Sequence, residues 1–251
     1  MEARKIIITG GATRIGAAIA EKLSGHKREI VIHFNKSRAK AIRLKKKLEK
    51  NGGKVYLVKG NLNREEDIKK IIKSSKKYLK YFDCLINNAS MFENDKLENF
   101  SSDSWNKHLN INLKAPAILT KEFAKNIKGK NNNIINIIDQ RVFKLTPFFF
   151  SYTLSKTGLY TLTKTSAMSL APKIRVNGIA PGPTIKNKRQ SKIHFKKQFL
   201  ATPLKQQVNI NEISNAVDFF IKSSSVTGQV ISIDSGQSLN WQTPDIMRGK
   251  E

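Results

Sequence analysis

A chain of 251 residues, 39% of them apolar, can bury one large core, and nothing in it calls for a second domain; a single domain over 1–251 is expected. Its apolar residues come in short runs, well below the roughly 18 consecutive ones a membrane helix needs, so the chain reads as soluble and not membrane-bound. The formal net charge of +27, from 46 Lys and Arg against 19 Asp and Glu, is scattered over segments such as Arg43 to Lys47 and Lys196-Lys197 without interleaved aromatics or a basic tail; nucleic-acid binding is therefore not expected, and attraction for anionic small ligands is.

The first apolar run, Lys5 to Ile8, follows Met1 so closely that no signal peptide fits, and a cytoplasmic location is expected. From there, short β-rich runs near 4–8, 29–34, 54–59, 83–87, 133–138, 174–179 and 229–233 alternate with segments of helical period at 15–24, 37–50, 64–79, 103–127, 152–170 and 211–222. That alternation predicts an α/β fold: a single Rossmann-type doubly wound sheet of about seven parallel strands with helices on both faces. The stretch 182–208, with Gly182, Pro183 and Pro203 around a basic segment, resists assignment and is read as a lid at the carboxyl edge of the sheet, where ligands bind in such folds. Cys84, in the apolar run Cys84-Leu85-Ile86, reads as a core residue.

The segment Thr9 to Gly16 joins the first strand to the first helix. Gly10 and Gly16 permit a tight turn and close backbone approach, and Arg14, Ile15 and Gly16 open a helix whose amides suit a pyrophosphate. At the end of the second strand an Asp or Glu would select NAD by bonding the ribose hydroxyls. None is present. The chain reads His33-Phe34-Asn35-Lys36-Ser37-Arg38, and Asn35, Lys36 and Ser37, with Arg14 nearby, suit a 2′-phosphate, so NADPH is the expected cofactor. By position in the fold, Asn61-Leu62 meets the adenine, and Asn88-Ala89-Ser90 lets backbone approach the ribose and nicotinamide.

After the fifth strand comes Asp139, and then Tyr152-Thr153-Leu154-Ser155-Lys156. Residues four apart share a helical face, so Lys156 can sit near the Tyr152 phenol; a neighbouring cation is expected to lower the phenol's pKa and make it a usable acid. A carboxylate at 139 opposes negative charge growing on a ketone oxygen, whereas a ring bearing N–H and amino groups offers it donors. The competing reading is that Asp139 merely caps the loop that follows.

The glycine loop, Asn88-Ala89, Asn112, Tyr152 with Lys156, and Pro181-Gly182 recur in order over essentially the whole chain, and together resemble the short-chain dehydrogenase/reductase family. The resemblance implies NAD(P)(H)-dependent hydride transfer by a homotetramer or homodimer acting on a small molecule. It implies Tyr152 as acid, Lys156 holding the nicotinamide ribose, Asn112 anchoring a proton-relay water, and Pro181-Gly182 beside the cofactor. Most members have Gly at position 14 and Ser at position 139. With Asn88 to Phe92 and the His33 to Ser37 string, Arg14 and Asp139 resemble the pteridine reductase and dihydromonapterin reductase branch. There Arg14 would touch cofactor phosphate and pterin, Phe92 would stack the pterin, Ser90 would line the pocket, and Asp139, thirteen positions before Tyr152, would assist it.

Gln140-Arg141-Val142-Phe143 and the run Phe148-Phe149-Phe150 differ from that branch. A carbonyl reductase of 3-oxoacyl or sugar-like substrates is the second enzymatic reading, with Lys186, Lys188, Arg189, Lys192, Lys196 and Lys197 available to an anionic substrate. A non-catalytic NADP sensor is the third; it would be expected to lose Tyr152 or Lys156. His26, His108 and His194 lack ligand spacing, so no metal is expected, and Trp241 is assigned to a subunit contact.

Overall fold

The computed structural model describes residues 5–25, 27–187 and 190–241. His26, Lys188 and Arg189 lie outside them. Seven strands, β1 (Lys5–Ile8), β2 (Glu29–Phe34), β3 (Lys54–Lys59), β4 (Cys84–Asn87), β5 (Asn132–Ile137), β6 (Ile174–Pro181) and β7 (Val230–Ile233), form one sheet in the order β3-β2-β1-β4-β5-β6-β7. Every pairing is parallel. Isoleucine and valine dominate the central strands because both faces are covered there, so alternation gives way to continuous apolar runs. Successive side chains still alternate between two cores: Ile6 and Ile8 pack with Ile30, Ile32 and Ile86 on one face, while Ile7 packs with Val31, Leu85 and Ile134 on the other.

The first face is covered by α1 (Arg14–Leu23), α2 (Arg38–Lys50) and α8 (Ile210–Lys222), whose buried residues recur at three and four, as in Ala41, Leu44 and Leu48. The second is covered by α3 (Glu65–Leu79), α5 (Ala115–Ala124) and α6 (Phe150–Leu170). Strand order reverses between β1 and β4, which opens a crevice beyond their carboxyl ends. Among the described residues no helix is long and apolar enough to cross a membrane.

Two segments depart from the sequence reading. The expected helix over 103–127 is α4 (Ser102–Leu109), a π-helical turn Asn110–Lys114, and α5 with a proline in its first turn. Such widened turns cluster at functional sites, and this one carries the fully buried Asn112. The stretch 182–208 contains a helix, α7 (Lys192–Leu200), started by the Ser191 side chain accepting from the His194 amide at 3.0 Å. Only Phe195 of α7 is buried, so the sequence shows no apolar stripe to announce it.

Candidate active site

The loops after β1 and β4 are sewn together at the crevice floor. Thr9 Oγ1 accepts from the Asn88 and Ala89 amides at 3.0 and 3.1 Å, and Asn88 Nδ2 donates to the Thr9 and Gly10 carbonyls at 2.9 and 3.1 Å. Gly10 has φ +60°, and a Cβ there would stand 2.9 Å from Ala89 Cα; one on Gly16 would stand 2.4 Å from the Gly10 carbonyl oxygen. These glycines are therefore required first by chain-on-chain contact within the floor.

His33, at the end of β2, holds this loop from below. Its Nδ1 accepts from the Gly10 amide at 3.2 Å, its Nε2 donates to the Gly60 carbonyl at 3.1 Å, and its own carbonyl accepts from the Gly11 amide at 3.1 Å. Burial pushes its pKa down to about 4, so it is neutral with one defined tautomer. The sequence reading placed His33 only within a string; the available signal was a histidine inside an otherwise apolar strand.

Around the floor, α1 and α2 both start without a side-chain cap and without an acid in the first turn. By contrast Ser101, Ser191 and Asn209 cap α4, α7 and α8. Asn35 and Lys36 are exposed beside the start of α2, whose first turn carries no acid. Two uncapped, acid-free helix starts at one crevice are a setting for phosphate groups. Arg14, left-handed at φ +54°, instead reaches across to donate to the Ile185 and Lys186 carbonyls at 2.8 and 3.0 Å, tying the loop to the segment after β6. Asn61 accepts from the Asn63 amide at 3.1 Å, and the Leu62 side chain is buried in the second core, leaving its backbone at the edge. Pro181 ends β6, and a Cβ on Gly182 would stand 2.6 Å from Asp234 Cα.

At the catalytic end, Asp139 does both things weighed from sequence. Its Oδ1 accepts from the Arg141 amide at 2.9 Å, capping the turn Gln140–Val142, while Oδ2 accepts from the Tyr152 hydroxyl at 2.7 Å. Lys156 Nζ, fully enclosed, donates to the Ile137 carbonyl at 2.8 Å and lies 5.8 Å from the Tyr152 ring centroid; burial pushes its pKa down to about 8. The expected lowering of the Tyr152 pKa is reversed. Burial, and then the Asp139 carboxylate, hold this phenol well above its usual value, and the cation that opposes the rise is Arg141. The Lys156 ammonium points past the ring to the Ile137 carbonyl, so it lies beside the phenol without hydrogen-bonding it.

The helix start that carries Tyr152 is held from the segment after β4. Asn94 Oδ1 accepts from the Phe149 amide at 3.1 Å, and Asp95 takes the Phe150 amide on its carbonyl and the Ser151 amide on Oδ1 at 3.2 and 3.0 Å. That segment is clamped in turn. Asn112 Oδ1 accepts from the Met91 amide at 2.8 Å and from Ser90 Oγ at 3.2 Å, and its Nδ2 donates to the Met91 carbonyl and Ser155 Oγ at 3.0 and 2.9 Å. Its side chain thus shapes the pocket wall. His108, fully buried, accepts from the Glu93 amide at 3.2 Å through Nε2 and sets its ring edge-on to Tyr152 at 6.2 Å. Phe92 stands edge-on to Tyr152 at 4.6 Å, but its stacking partner is Phe149, 4.6 Å away and nearly parallel, which the sequence reading did not assign to the site.

A buried tyrosine hydrogen-bonded to a carboxylate, an enclosed lysine one helical turn on, and a crevice built from the loops after β1 and β4 define an acid–base site beside a dinucleotide-type fold. The family model for short chain dehydrogenase matches residues 4–196, and the chain belongs to this family of oxidoreductases. Among solved structures, that of FolM Alternative dihydrofolate reductase 1 from Brucella suis in complex with NADP is 40% identical, with a TM-score of 0.93 over 97% of this chain and 98% of that one. Among curated relatives, 3-oxoacyl-(acyl-carrier-protein) reductase FabG of Buchnera aphidicola is 32% identical over 93% of this chain and 97% of its own length. Glucose 1-dehydrogenase 2 of Bacillus subtilis is 29% identical over 93% and 94%.

Proposed function

We propose that the protein is an NADPH-dependent reductase of a pterin-like or other flat heterocyclic substrate, with Tyr152 delivering the proton and Asp139 assisting it. The observation that carries this reading is the 2.7 Å hydrogen bond from the buried Tyr152 hydroxyl to Asp139 Oδ2. The likeness to the FolM structure, solved with NADP, supports both cofactor and ring class. When bound, the cofactor supplies the hydride. The uncapped starts of α1 and α2 fit its phosphates: Gly10, Arg14, Ile15 and Gly16 would hold the pyrophosphate, and Asn35, Lys36 and Ser37 the 2′-phosphate. Asn61 and Leu62 would border the adenine; Asn88, Ala89, Ser90, Lys156, Pro181 and Gly182 would border the nicotinamide half. Arg14, Ser90, Phe92, Asp139 and Tyr152 would line the substrate.

Tyr152 keeps its proton at neutral pH because its pKa is raised, so the hydroxyl can donate to a basic ring nitrogen. Phenolate beside carboxylate is unfavourable, so donation is easiest when Asp139 takes up a proton from solvent as Tyr152 releases its own. Lys156, anchored on Ile137, would orient the ribose. Asn112, through Met91 and Ser155, fixes the wall opposite Tyr152. We further read the chain as one cytoplasmic domain working as a homodimer or homotetramer, with exposed Phe219, Ile231, Leu239 and Trp241 as apolar contact surface. The tie from Arg14 to Ile185 and Lys186 supports reading 182–208 as a lid.

The FabG likeness favours 3-oxoacyl reduction as the second reading. NADPH consumption with dihydrobiopterin, dihydromonapterin and dihydrofolate, against a 3-oxoacyl thioester, separates the two. Turnover confined to the thioester overturns the pterin reading. Tyr152→Phe is expected to lower kcat at least about 100-fold while NADPH affinity stays within about threefold; retained turnover removes Tyr152 as the proton donor.

A further inference from the structure

The site holds a second charged group whose commitments are few. Arg141 follows Asp139 by two residues, and its own amide is the donor to Asp139 Oδ1, so the turn that fixes the acid also fixes the base of this side chain. Its guanidinium carbon lies 4.3 Å from the Phe149 ring centroid and 6.0 Å from that of Phe92, the two rings stacked beside Tyr152. Of its five N–H donors, one reaches Thr146 Oγ1, at a long 3.3 Å. Among the described residues no carboxylate lies within ion-pair distance of it. The other cations of the site are engaged: Arg14 by the Ile185 and Lys186 carbonyls, Lys156 by the Ile137 carbonyl. Through Phe92, which stands edge-on to Tyr152, the guanidinium lies on the tyrosine side of the pocket, and its charge opposes the rise of the phenol's pKa.

A partly exposed guanidinium with no carboxylate beside it among the described residues has N–H donors to offer an anionic ligand. Its aromatic support fixes the plane of the fork, and a planar fork matches a carboxylate bidentately. We infer that Arg141, braced on Phe149 at the mouth of the site, binds a carboxylate carried on the flat substrate, so that the enzyme prefers an acidic heterocycle to a neutral one. This rests on the pterin-type reading above and assigns Arg141 a specificity role, distinct from proton delivery.

The test compares 7,8-dihydrofolate, whose tail carries carboxylates, with 7,8-dihydrobiopterin, whose side chain carries none, in the wild type, Arg141→Gln and Arg141→Lys. The readout is the ratio of kcat/KM for the two substrates, because any effect of Arg141 through Tyr152 is common to both and cancels. Removing a charge-assisted bidentate contact is expected to lower the ratio in Arg141→Gln by about tenfold to hundredfold, with a smaller fall in Arg141→Lys, which keeps the cation without the fork. A ratio within twofold of wild type, on the order of experimental scatter, overturns the inference and leaves pterin reduction standing. Should Arg141→Gln fail to fold, Arg141→Lys decides alone: a several-fold fall supports the contact and no change overturns it. If the wild type reduces neither compound, calorimetric titration of the NADP+-loaded protein with folate and with biopterin judges Arg141 separately from the pterin reading. Tighter binding of folate that is lost in Arg141→Gln supports the inference. Equal binding, or none, overturns it.

Discussion

His33 offers a quantitative test of how the crevice floor is held. The ring is 2% exposed, and its pKa falls from 6.5 to about 4 because protonation would charge a buried group and turn Nδ1 into a second donor facing the Gly10 amide. The folded-state pKa lies below the unfolded one. The neutral ring therefore contributes stability that is complete above pH 6.5 and is lost as pH falls toward 4. A shift of that size corresponds to about 3 kcal/mol in full, of which about 2.5 kcal/mol is lost between pH 7.5 and 4.5. His33→Gln keeps a donor and an acceptor and does not titrate. Urea unfolding of both proteins at fixed protein concentration across that range, where Asp and Glu contribute alike, should show the wild type losing about 2.5 kcal/mol more than the variant. NADPH affinity should weaken more steeply over the same range in the wild type than in the variant, since protonation of the cofactor's 2′-phosphate is common to both. Stability curves that run parallel, within about 0.5 kcal/mol, would refute the linkage and with it the role assigned to the Gly10–His33–Gly60 chain.

Two further outcomes follow from the geometry. Asp139→Asn removes the carboxylate that helps raise the pKa of Tyr152 and of Lys156, so the alkaline fall of kcat/KM should begin at lower pH; a limb that stays in place would mean that Asp139 governs neither proton. Gly16→Ala puts a Cβ 2.4 Å from the Gly10 carbonyl oxygen and 2.5 Å from Asn88 Nδ2, and is expected to cost about 1–3 kcal/mol in urea unfolding and to weaken NADPH binding.

The sheet was legible because parallel strands buried on both faces are written as contiguous Ile and Val runs, and all seven lie where those runs do. Boundaries carried by side-chain packing were not. The π-helical turn at Asn110–Lys114 reads as continuous helix because its distinguishing feature is one buried amide whose partners, Met91 and Ser155, are far away in sequence. α7 escaped notice because a basic segment with one buried phenylalanine has no apolar stripe. In the site, Tyr152 and Asp139 could be paired from order alone. The groups that hold them could not: Asp95 on the start of α6, His108 on the Glu93 amide, and Phe149 on Phe92 are meetings of separate elements. The direction of the Tyr152 shift was missed because helical spacing placed Lys156 near the ring but could not show how deeply the phenol is buried or how close Asp139 stands.

The clamp on the segment after β4 bears on how this scaffold changes its ligand. Asn112 and His108 hold residues 91 and 93 by their backbone groups, and Asp95 anchors the helix beyond through its own carboxylate. The Phe92 side chain is held separately, stacked on Phe149 and edge-on to Tyr152, and the Ser90 hydroxyl reaches Asn112 Oδ1 and the Met91 carbonyl, both at 3.2 Å. The backbone clamp is thus distinct from the side-chain contacts that shape the pocket wall. A wall whose side chains are not the clamp can vary at less risk to the fold than the clamp itself.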